Sequence, residues 1–405
     1  MNVLFLSIGR MQSINAHGLY PDLLRQFIKD GHNVYVVSQR EKRETLKSEV
    51  VSSQNCKILY VKTGNITKCS TLKKGISTLM IPFLYKKAIK KYFKGITFDL
   101  VLYPTPPITL ASVVKFIKKR DNAKTYLMLK DIFPQNAVDL GMMKKTGLKS
   151  ILYKYFRKQE KKLYRISDYI GCMSPANVEY VLKHNVELSK NKVGLCPNAF
   201  EPIDLSITEN EKKELREKYA LPLDKKIFVY GGNLGKPQGI NFLIDCIRSQ
   251  NQNDDVFFLI IGSGTEYIKI QNFIETSNQS NVKLMNYLPK EDYERIVATC
   301  DVGMIFLDYR FTIPNFPSRL LGYMQAKKPV LACTDVNSDM GEIITKGNFG
   351  WWCESNSVEK FDFAIREVLS SNTLEKGELA HKYFLENYTT EKVYQSIKET
   401  INQLN

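Results

Sequence analysis

The chain has 405 residues, 43% of them hydrophobic and 25% charged, a composition typical of soluble globular proteins that excludes a disordered or fibrous chain. Its charge is uneven: residues 1–200 hold 35 basic and 13 acidic residues, whereas the remainder holds 23 and 29. The first half therefore carries a formal charge of about +22 and the second about −6. This asymmetry indicates an anionic partner, either a polyanion or a membrane surface, for the first half alone.

Cysteine and histidine usage argues against a metal site. The eight cysteines form no C-x-x-C pair and only four histidines accompany them, so the spacing of zinc ligands is missing. We therefore expect reduced thiols, a cytoplasmic protein and no cofactor. The first apolar run, residues 3–8, is too short for a signal peptide, and no stretch reaches the ~20 apolar residues of a spanning helix. Membrane contact is expected to be peripheral, at the inner face of the cell membrane.

The first half alternates short apolar runs with segments of helical spacing. A buried strand is predicted from Val3 to Ser7 and a helix from Leu19 to Asp30. Further strands are predicted at residues 34–37, 96–103 and 125–129. Strands that alternate with helices predict a doubly wound α/β sheet.

The pattern restarts after a Glu-rich polar stretch, residues 201–218. Strands are predicted at residues 227–230, 256–261, 302–306 and 329–332, and helices at 361–369 and 378–404. We predict two Rossmann-like domains, residues 1–203 and 204–378, and a terminal helix within 379–405 that packs back toward the first domain. Ligands of such sheets bind beyond the carboxyl ends of the strands, so we expect a central cleft between the domains.

Two glycine-rich turns follow strands of the second half. Residues 231–235 lie between a strand and a helix, and Gly262 and Gly264 end the next strand. Backbone N–H groups in such turns can hold a diphosphate, although tight strand-to-helix turns without a ligand have the same composition. Arg319, at the predicted start of a helix, suits phosphate recognition, and a solvated arginine is the alternative.

Three blocks of the second half, taken together, resemble the donor half of glycosyltransferase family 4, whose members have the GT-B fold. The blocks are Gly232-Asn233-Leu234-Gly235 with Gln238-Gly239, then Ile260 to Gly264, then Pro317-Ser318-Arg319 with Tyr323-Met324 and Pro329-Val330. The first half agrees, with the Gly9 loop, Gly31-His32, Pro106-Pro107, Asp131 to Pro134 and Pro197-Asn198 in the family's order. The resemblance covers nearly the whole chain and is greatest to the branch that builds bacterial O-antigen and capsular polysaccharide.

This resemblance implies a retaining glycosyltransferase that moves a sugar from a nucleotide sugar, expected to be a UDP-sugar, to a polyprenyl-diphosphate-linked saccharide. It implies two catalytic residues, Arg319 at the donor diphosphate and Asp131 in orienting or deprotonating the acceptor; a helix N-cap is the alternative role of Asp131. The implied donor-binding residues are Gly232, Asn233, Lys236, Gln238, Gly262, Gly264, Glu266, Tyr287, Leu288, Ser318, Arg319 and Leu320. The implied acceptor-side residues are Gly9, His17 and Asp131.

The chain departs from the family pattern after the glycine turn. Many members have an Arg and a Lys for the diphosphate where Asn233 and Gln238 stand here, so Lys236 or Arg319 is expected to compensate. No two Asp residues are separated by a single residue, so the D-x-D metal site of the other large glycosyltransferase fold is absent from the sequence. We expect no obligatory divalent ion.

A second departure concerns two carboxylates. Family members have two Glu residues eight positions apart, the second of which usually binds ribose, and Pro314 and Gly322 occupy those positions here. The departure leaves the affinity for nucleotide and the identity of the base open.

Basic runs with aromatic residues recur in the first half, at residues 86–94, 115–120 and 149–165. Each can form an amphipathic helix with its apolar side on the protein and its basic side toward lipid headgroups, where each Lys contributes ~1 kcal/mol. Solvated helix faces are the alternative. Glu160 lies among lysines and is expected to be their partner on the helix surface.

Two other functions stay open. A non-enzymatic module could bind nucleic acid through the basic first half, but this leaves the second half unexplained, and we expect no nucleic-acid partner. A GT-B relative could epimerise a nucleotide sugar. That reaction needs pairs of carboxylates or histidines, and only His17 and His32 lie early enough in the chain to contribute.

Overall fold

The computed structural model describes residues 1–67, 69–147, 150–277 and 279–404. The strands are β1 (Asn2–Leu6), β2 (Asn33–Glu41), β3 (Glu49–Ser53), β4 (Cys56–Thr63), β5 (Leu100–Pro104), β6 (Lys124–Leu129), β7 (Tyr169–Cys172), β8 (Val193–Leu195), β9 (Lys226–Asn233), β10 (Val256–Ser263), β11 (Val282–Met285), β12 (Val302–Phe306), β13 (Val330–Thr334) and β14 (Gly350–Glu354). The α-helices are α1 (Leu19–Lys29), α2 (Thr71–Tyr92), α3 (Ala111–Asp121), α4 (Gln135–Asp139), α5 (Ser150–Ile166), α6 (Pro175–His184), α7 (Glu209–Lys218), α8 (Ile240–Ser249), α9 (Tyr267–Thr276), α10 (Lys290–Thr299), α11 (Arg319–Gln325), α12 (Met340–Lys346), α13 (Val358–Ser370), α14 (Thr373–Asn387) and α15 (Thr390–Gln403).

The first half forms an eight-stranded sheet in the order β3-β4-β2-β1-β5-β6-β7-β8. Neighbouring strands are parallel except β3 and β4, which are antiparallel. The central strand β1 is apolar from Val3 to Leu6 and inaccessible to solvent, as expected of a strand that is covered on both faces. The strand order reverses between β1 and β5, and ligands of doubly wound sheets bind at such a reversal.

The second half forms a six-stranded sheet in the order β11-β10-β9-β12-β13-β14, parallel throughout. Its order reverses between β9 and β12. The large apolar residues of these strands are buried, with Phe228 and Phe258 fully inaccessible in one core cluster. The predicted class, two doubly wound α/β sheets, is therefore confirmed.

The chain divides into two compact units, a first unit of Met1–Glu201 with Thr390–Asn405 and a second unit of Pro202–Thr389. The stretch predicted as one terminal helix forms two, α14 and α15, because the amide of Thr390 donates to the carbonyl of Phe200 at 3.1 Å and does not continue α14. Helix α15 belongs to the first unit, where Tyr394 packs edge-on against Phe27 with ring centroids 4.7 Å apart.

The basic run 86–94 ends α2 as expected of an amphipathic helix, with Ala88 and Ile89 buried and Lys87, Lys90 and Lys91 exposed. The part of the helix before this run is different. Helix α2 turns Ile76, Leu79, Met80 and Phe83 toward solvent, so its apolar residues do not all pack on the protein. In the basic run 149–165, Lys149 lies outside the described residues and the rest forms α5. Within the described ranges, no helix is both long enough and apolar enough to cross a bilayer.

Candidate functional site

The glycine turn of the second unit lies where the strand order reverses. Strand β9 pairs with β10 as far as Gly232 opposite Gly262 and Asn233 opposite Ser263. Gly232 has φ +117°, a conformation that L side chains rarely adopt, so glycine is required there. A β-carbon on Gly264 would lie 2.2 Å from the carbonyl oxygen of Leu234, so this turn also needs glycine for close packing. The two glycine turns therefore form one unit of structure at the carboxyl edge of the sheet.

Arg319 lies directly beside this turn. It begins α11, and its guanidinium carbon lies 4.3 Å from the centre of the Tyr230 ring. Its Nη2 would be 3.6 Å from a β-carbon on Gly232. Its Nη1 is buried and has no hydrogen-bond partner among the described residues. Arg319 is thus not the solvated arginine of the alternative interpretation, and a guanidinium with a free donor can bind an anion at the turn.

The polar residues after the turn have different roles. Gln238 Oε1 accepts hydrogen bonds from Asn233 Nδ2 at 2.9 Å and from the amide of Gly235 at 3.2 Å, so it braces the turn. Lys236 is exposed in the same turn. Of the two residues expected to compensate for the missing cations, Arg319 is anchored on Tyr230 and Lys236 is solvated.

The remaining donor-side residues are less closely joined to the turn. The amide of Glu266 donates to the Leu234 carbonyl at 2.9 Å, and its carboxylate forms an ion pair with Lys269. Leu320 is fully buried, so only its backbone could contact a ligand. Tyr287 and Leu288 lie in the loop after β11, where Tyr287 has 72% of its surface exposed and Leu288 is partly buried. Ser318, just before α11, is also partly buried.

Tyr230 and Tyr323, which had no predicted role in the site, support the glycine turn. The Tyr230 hydroxyl donates to the Asn233 carbonyl at 2.8 Å. The Tyr323 hydroxyl accepts from the Gly231 amide at 3.1 Å and donates to the Val229 carbonyl at 3.1 Å. The position of Tyr230 near the end of a predicted strand was the one sequence signal that could have placed it near the site. Its contact with Arg319 could not be predicted, because no spacing rule pairs residues 89 positions apart.

The two positions that lack glutamate differ in their surroundings. Pro314 is buried. Gly322 lies one turn along α11 from Arg319, and a β-carbon there would meet nothing within 4 Å. A side chain can therefore be added at position 322 without displacing its neighbours.

In the first unit, Asp131 follows β6, one strand beyond the reversal between β1 and β5. Asn136 Nδ2 donates to both of its carboxylate oxygens, at 2.8 and 2.9 Å. The Thr105 hydroxyl donates to its carbonyl at 3.2 Å. Burial raises the pKa of Asp131 from 3.8 to about 6, against the hydrogen bonds from the Ile132 amide and Asn136.

Asp131 does not cap a helix, which was the alternative role. Helix α4 begins at Gln135, and the residue in the N-cap position is Pro134. Since hydrogen bonds to a carboxylate favour its charged form and burial opposes it, the pKa near 6 shows that burial dominates. A carboxyl group in this state can take or give a proton near neutral pH.

Gly9 and His17 lie near the carboxyl end of β1. The amide of Gly9 donates to Ser7 Oγ at 2.9 Å, and the Ser38 hydroxyl donates to the Gly9 carbonyl at 3.0 Å, which fixes this exposed loop. His17 Nδ1 lies 2.9 Å from Oδ2 of the fully buried Asp22. Burial raises the pKa of Asp22, but the hydrogen bonds it accepts from His17 and from nearby amides outweigh burial and hold the pKa below its usual value.

Glu160 is not the surface partner that the sequence suggested. It is 3% exposed, forms an ion pair with Arg157 and accepts a hydrogen bond from the Tyr164 hydroxyl at 2.9 Å. Burial raises its pKa, although Arg157 acts in the opposite direction. The neighbouring lysines misled the prediction, since the side of α5 that Glu160 occupies faces the protein. Its role is structural, and its charge contributes to the raised pKa of Asp131.

No group of three or more His, Cys, Asp or Glu residues suited to a metal ion occurs in the described part of the chain.

Residues 211–383 match the family described as glycosyl transferases group 1. The probable glycosyltransferase WbjE of Pseudomonas aeruginosa is 23% identical over 320 residues, 78% of this chain and 77% of WbjE. The putative colanic acid biosynthesis glycosyl transferase WcaI of Escherichia coli K12 is 20% identical over 276 residues, 67% of this chain and 66% of WcaI.

Two solved structures share the fold over almost the entire chain. Sucrose-phosphate synthase from Thermosynechococcus elongatus superposes with a TM-score of 0.76 at 15% identity, covering 100% of this chain and 98% of the synthase. Anabaena HepE in complex with UDP gives a TM-score of 0.68 at 14% identity, covering 100% of both chains. The predicted GT-B fold and the predicted resemblance to bacterial glycosyltransferases are both confirmed.

Proposed function

We propose that this GT-B glycosyltransferase moves a sugar from a nucleotide sugar to a lipid-linked saccharide, with retention of the anomeric configuration. The observation that carries the proposal is the guanidinium of Arg319, which lies beside Gly232 and keeps a buried Nη1 without a partner among the described residues. A cation in this state, next to backbone N–H groups, suits the diphosphate of a donor. The UDP complex of the HepE structure supports a UDP-sugar as that donor.

On the donor side, the proposed role of Arg319 is to stabilise charge on the leaving diphosphate. Negative charge grows on the phosphate oxygen as the bond to the sugar breaks, and a fixed guanidinium stabilises that charge more in the transition state than in the ground state. The face of the Tyr230 ring contacts the guanidinium and holds it in place, so the side chain of Arg319 needs little reorganisation during the reaction. Lys236 is the second cation available at the turn.

On the acceptor side, the proposed role of Asp131 is to orient the acceptor hydroxyl and to receive its proton. With a pKa of about 6 the carboxyl group is mostly ionised at neutral pH and still basic enough to hold a proton. Asn136 fixes both carboxylate oxygens. The leaving phosphate oxygen is the other candidate for the proton, in which case Asp131 acts by orientation alone.

The charge of residues 1–200 and the relatives support the proposed acceptor class. Residues 1–200 carry 35 basic and 13 acidic residues, which suits a polyprenyl diphosphate at an anionic membrane surface. The name of WcaI refers to colanic acid biosynthesis, and this supports the proposed place in O-antigen or capsule synthesis. We propose that the reaction takes place at the cytoplasmic face of the membrane.

The test is a transfer assay with the purified chain, a panel of UDP- and GDP-sugars and a polyprenyl-diphosphate-linked saccharide. We expect one sugar nucleotide to be consumed only when acceptor is present, and the new linkage to keep the donor's anomeric configuration by NMR. Asp131→Asn should lower kcat while UDP binding is kept. Conversion of one UDP-sugar into another without acceptor would identify an epimerase instead, and an inverted linkage would refute retention.

A further inference from the structure

Helix α2 exposes a face of large apolar side chains. Ile76, Leu79, Met80 and Phe83 have 58%, 50%, 46% and 58% of their surface exposed. Their spacing of three, four and seven positions places them on one side of the helix. The opposite side is buried, with Tyr85 fully inaccessible. A contiguous apolar face of this kind marks an interaction surface, because folding alone gives no reason to expose it.

This face lies at the carboxyl edge of the first sheet. The hydroxyl of Tyr85 donates to the carbonyl of Ser7, the residue that follows β1, at 2.6 Å. A β-carbon on Gly64, which follows β4, would lie 2.2 Å from Ser77 Oγ. Both contacts join α2 to strand ends. The exposed apolar face therefore borders the same edge at which Asp131 follows β6.

The start of α5 adds a second apolar element at this edge. Ile151 and Leu152, in its first turn, have 71% and 52% of their surface exposed. The ring of Phe156, one turn later, packs against Phe133 with centroids 5.0 Å apart. Phe133 lies two residues after Asp131. We call Ile76, Leu79, Met80, Phe83, Ile151 and Leu152 together the apolar rim.

Basic residues without acidic neighbours in sequence flank the apolar rim. There is no Asp or Glu from residue 50 to 98 or from 140 to 159, stretches that include all of α2 and the first half of α5. Helix α2 contains six lysines, of which Lys73, Lys74 and Lys87 are exposed near the apolar face. Apolar side chains bordered by unneutralised lysines fit the interfacial region of an anionic bilayer.

We propose that the apolar rim inserts into the headgroup region of an anionic bilayer and holds the carboxyl edge of the first sheet against the membrane. This inference rests on the proposed function, because a lipid-linked acceptor would have to reach Asp131 from the bilayer. A second copy of the chain fits the surface poorly, since two such lysine-rich faces repel each other. Nucleic acid also fits poorly, because five of the six rim side chains are aliphatic and only Phe83 offers a ring for stacking on bases.

The test is co-sedimentation of the purified chain with vesicles of phosphatidylglycerol and phosphatidylcholine, compared with phosphatidylcholine alone. The rim variant is Ile76→Ser with Phe83→Ser. Its matched control is Ile268→Ser with Phe363→Ser in the second unit, where the same residue types have 60% and 58% of their surface exposed. Burial of each rim side chain should contribute about tenfold to partitioning, so we expect about a hundredfold weaker binding for the rim variant and no change for the control.

The lysines are tested separately with Lys73→Gln, Lys74→Gln and Lys87→Gln in one variant. At ~1 kcal/mol each, their loss should weaken binding to anionic vesicles about a hundredfold and leave binding to phosphatidylcholine unchanged. Equal losses in the rim variant and its control would overturn the proposal. So would wild-type protein that does not sediment with anionic vesicles, or a dimer in light scattering that the rim variant abolishes.

Two further measurements separate this inference from the proposed function. UDP-induced thermal stabilisation should be the same in the rim variant and in wild type, which also shows that the variant is folded. Transfer to a short acceptor in detergent should be unchanged as well. Vesicle binding without any transfer would refute the proposed function alone, and transfer without vesicle binding would refute the role of the apolar rim alone.

Discussion

Replacing Arg319 with Met should separate donor binding from folding stability. Among the described residues, the guanidinium contacts no carboxylate and keeps an unpaired Nη1. Its removal loses a cation–π contact with Tyr230 worth about 0.5–2 kcal/mol. It also removes a desolvation penalty of similar size for the buried charge. We expect the ligand-free free energy of unfolding to change by no more than about 1 kcal/mol. The lost hydrogen bond to a phosphate is worth about 1.5–3 kcal/mol, a 10- to 150-fold weaker affinity for UDP.

Thermal unfolding with and without UDP measures both quantities. At a UDP concentration 100 times its dissociation constant, wild type should gain about 2.7 kcal/mol, and a 30-fold weaker variant only about 0.9 kcal/mol at the same concentration. In a unit of this size about 1 kcal/mol moves Tm by about 2–4 °C, so the difference is measurable. Arg248→Met, an exposed arginine of the second unit paired with Asp245, is the control and should keep the full UDP shift. An undiminished UDP shift in Arg319→Met would refute the reasoning. So would a drop in ligand-free Tm as large as the loss of the UDP-induced shift.

Four more substitutions test the structure. The pKa of Asp131 is raised in the fold from 3.8 to about 6, so the folded state is fully stable below pH 4 and loses stability as pH rises through 6. In urea titrations, Asp131→Asn should therefore raise the free energy of unfolding by about 1–3 kcal/mol at pH 8 and leave it unchanged at pH 4. Gly322→Glu should raise Tm through about 0.5–1 kcal/mol of helix propensity, and tighter UDP binding than in Gly322→Ala would indicate a restored ribose contact. Gly264→Ala should cost at least about 1–3 kcal/mol through the contact with the Leu234 carbonyl, and unchanged stability would contradict the packing described. Glu160→Gln should cost about 1–3 kcal/mol at pH 7 by leaving Arg157 without its ionic partner, a loss that Lys158→Gln on the same helix should not reproduce.

The central strands of both sheets were predictable because they carry a local signal, whereas the outer strands β3, β4, β7, β8, β11 and β14 were not predicted. A strand buried on both faces reads as an unbroken apolar run, and β1, β9 and β10 each do so before a glycine. The break between α14 and α15 had no such signal, since it depends on a hydrogen bond from the Thr390 amide to the carbonyl of Phe200, 190 positions earlier. Elements that are defined by their own residues could be predicted; a boundary set by a distant partner could not.

The same distinction applies to the candidate site residues: what depends on local sequence could be predicted, and what depends on distant contacts could not. Glycines at strand ends and an arginine at a helix start could be recognised from their positions, but the contact of Arg319 with Tyr230 depends on two elements that meet only in the fold. The identity of Asp131 was visible, whereas its raised pKa depends on burial by residues far along the chain. Helix α2 shows the same limit for surfaces. It is apolar on several sides, and its packing on strand ends, including that of Tyr85 on the end of β1, decides which of its faces stays exposed.

Arg319 and Asp131 have opposite charge chemistry, and this makes their proposed roles separable. Arg319 stays charged at all accessible pH values, and the diphosphate of a UDP-sugar is esterified at both ends and has no ionisation near pH 6, so binding of the UDP-sugar should not depend on pH between 5 and 8. Asp131 changes charge near pH 6, so the chemical step should rise with pH through that value. A kcat that rises through pH 6 while affinity for the UDP-sugar stays flat, together with loss of that rise in Asp131→Asn, would assign the titration to the acceptor side. A kcat in Asp131→Asn that keeps the same rise would place the proton on the leaving phosphate, leaving Asp131 to act by orientation alone.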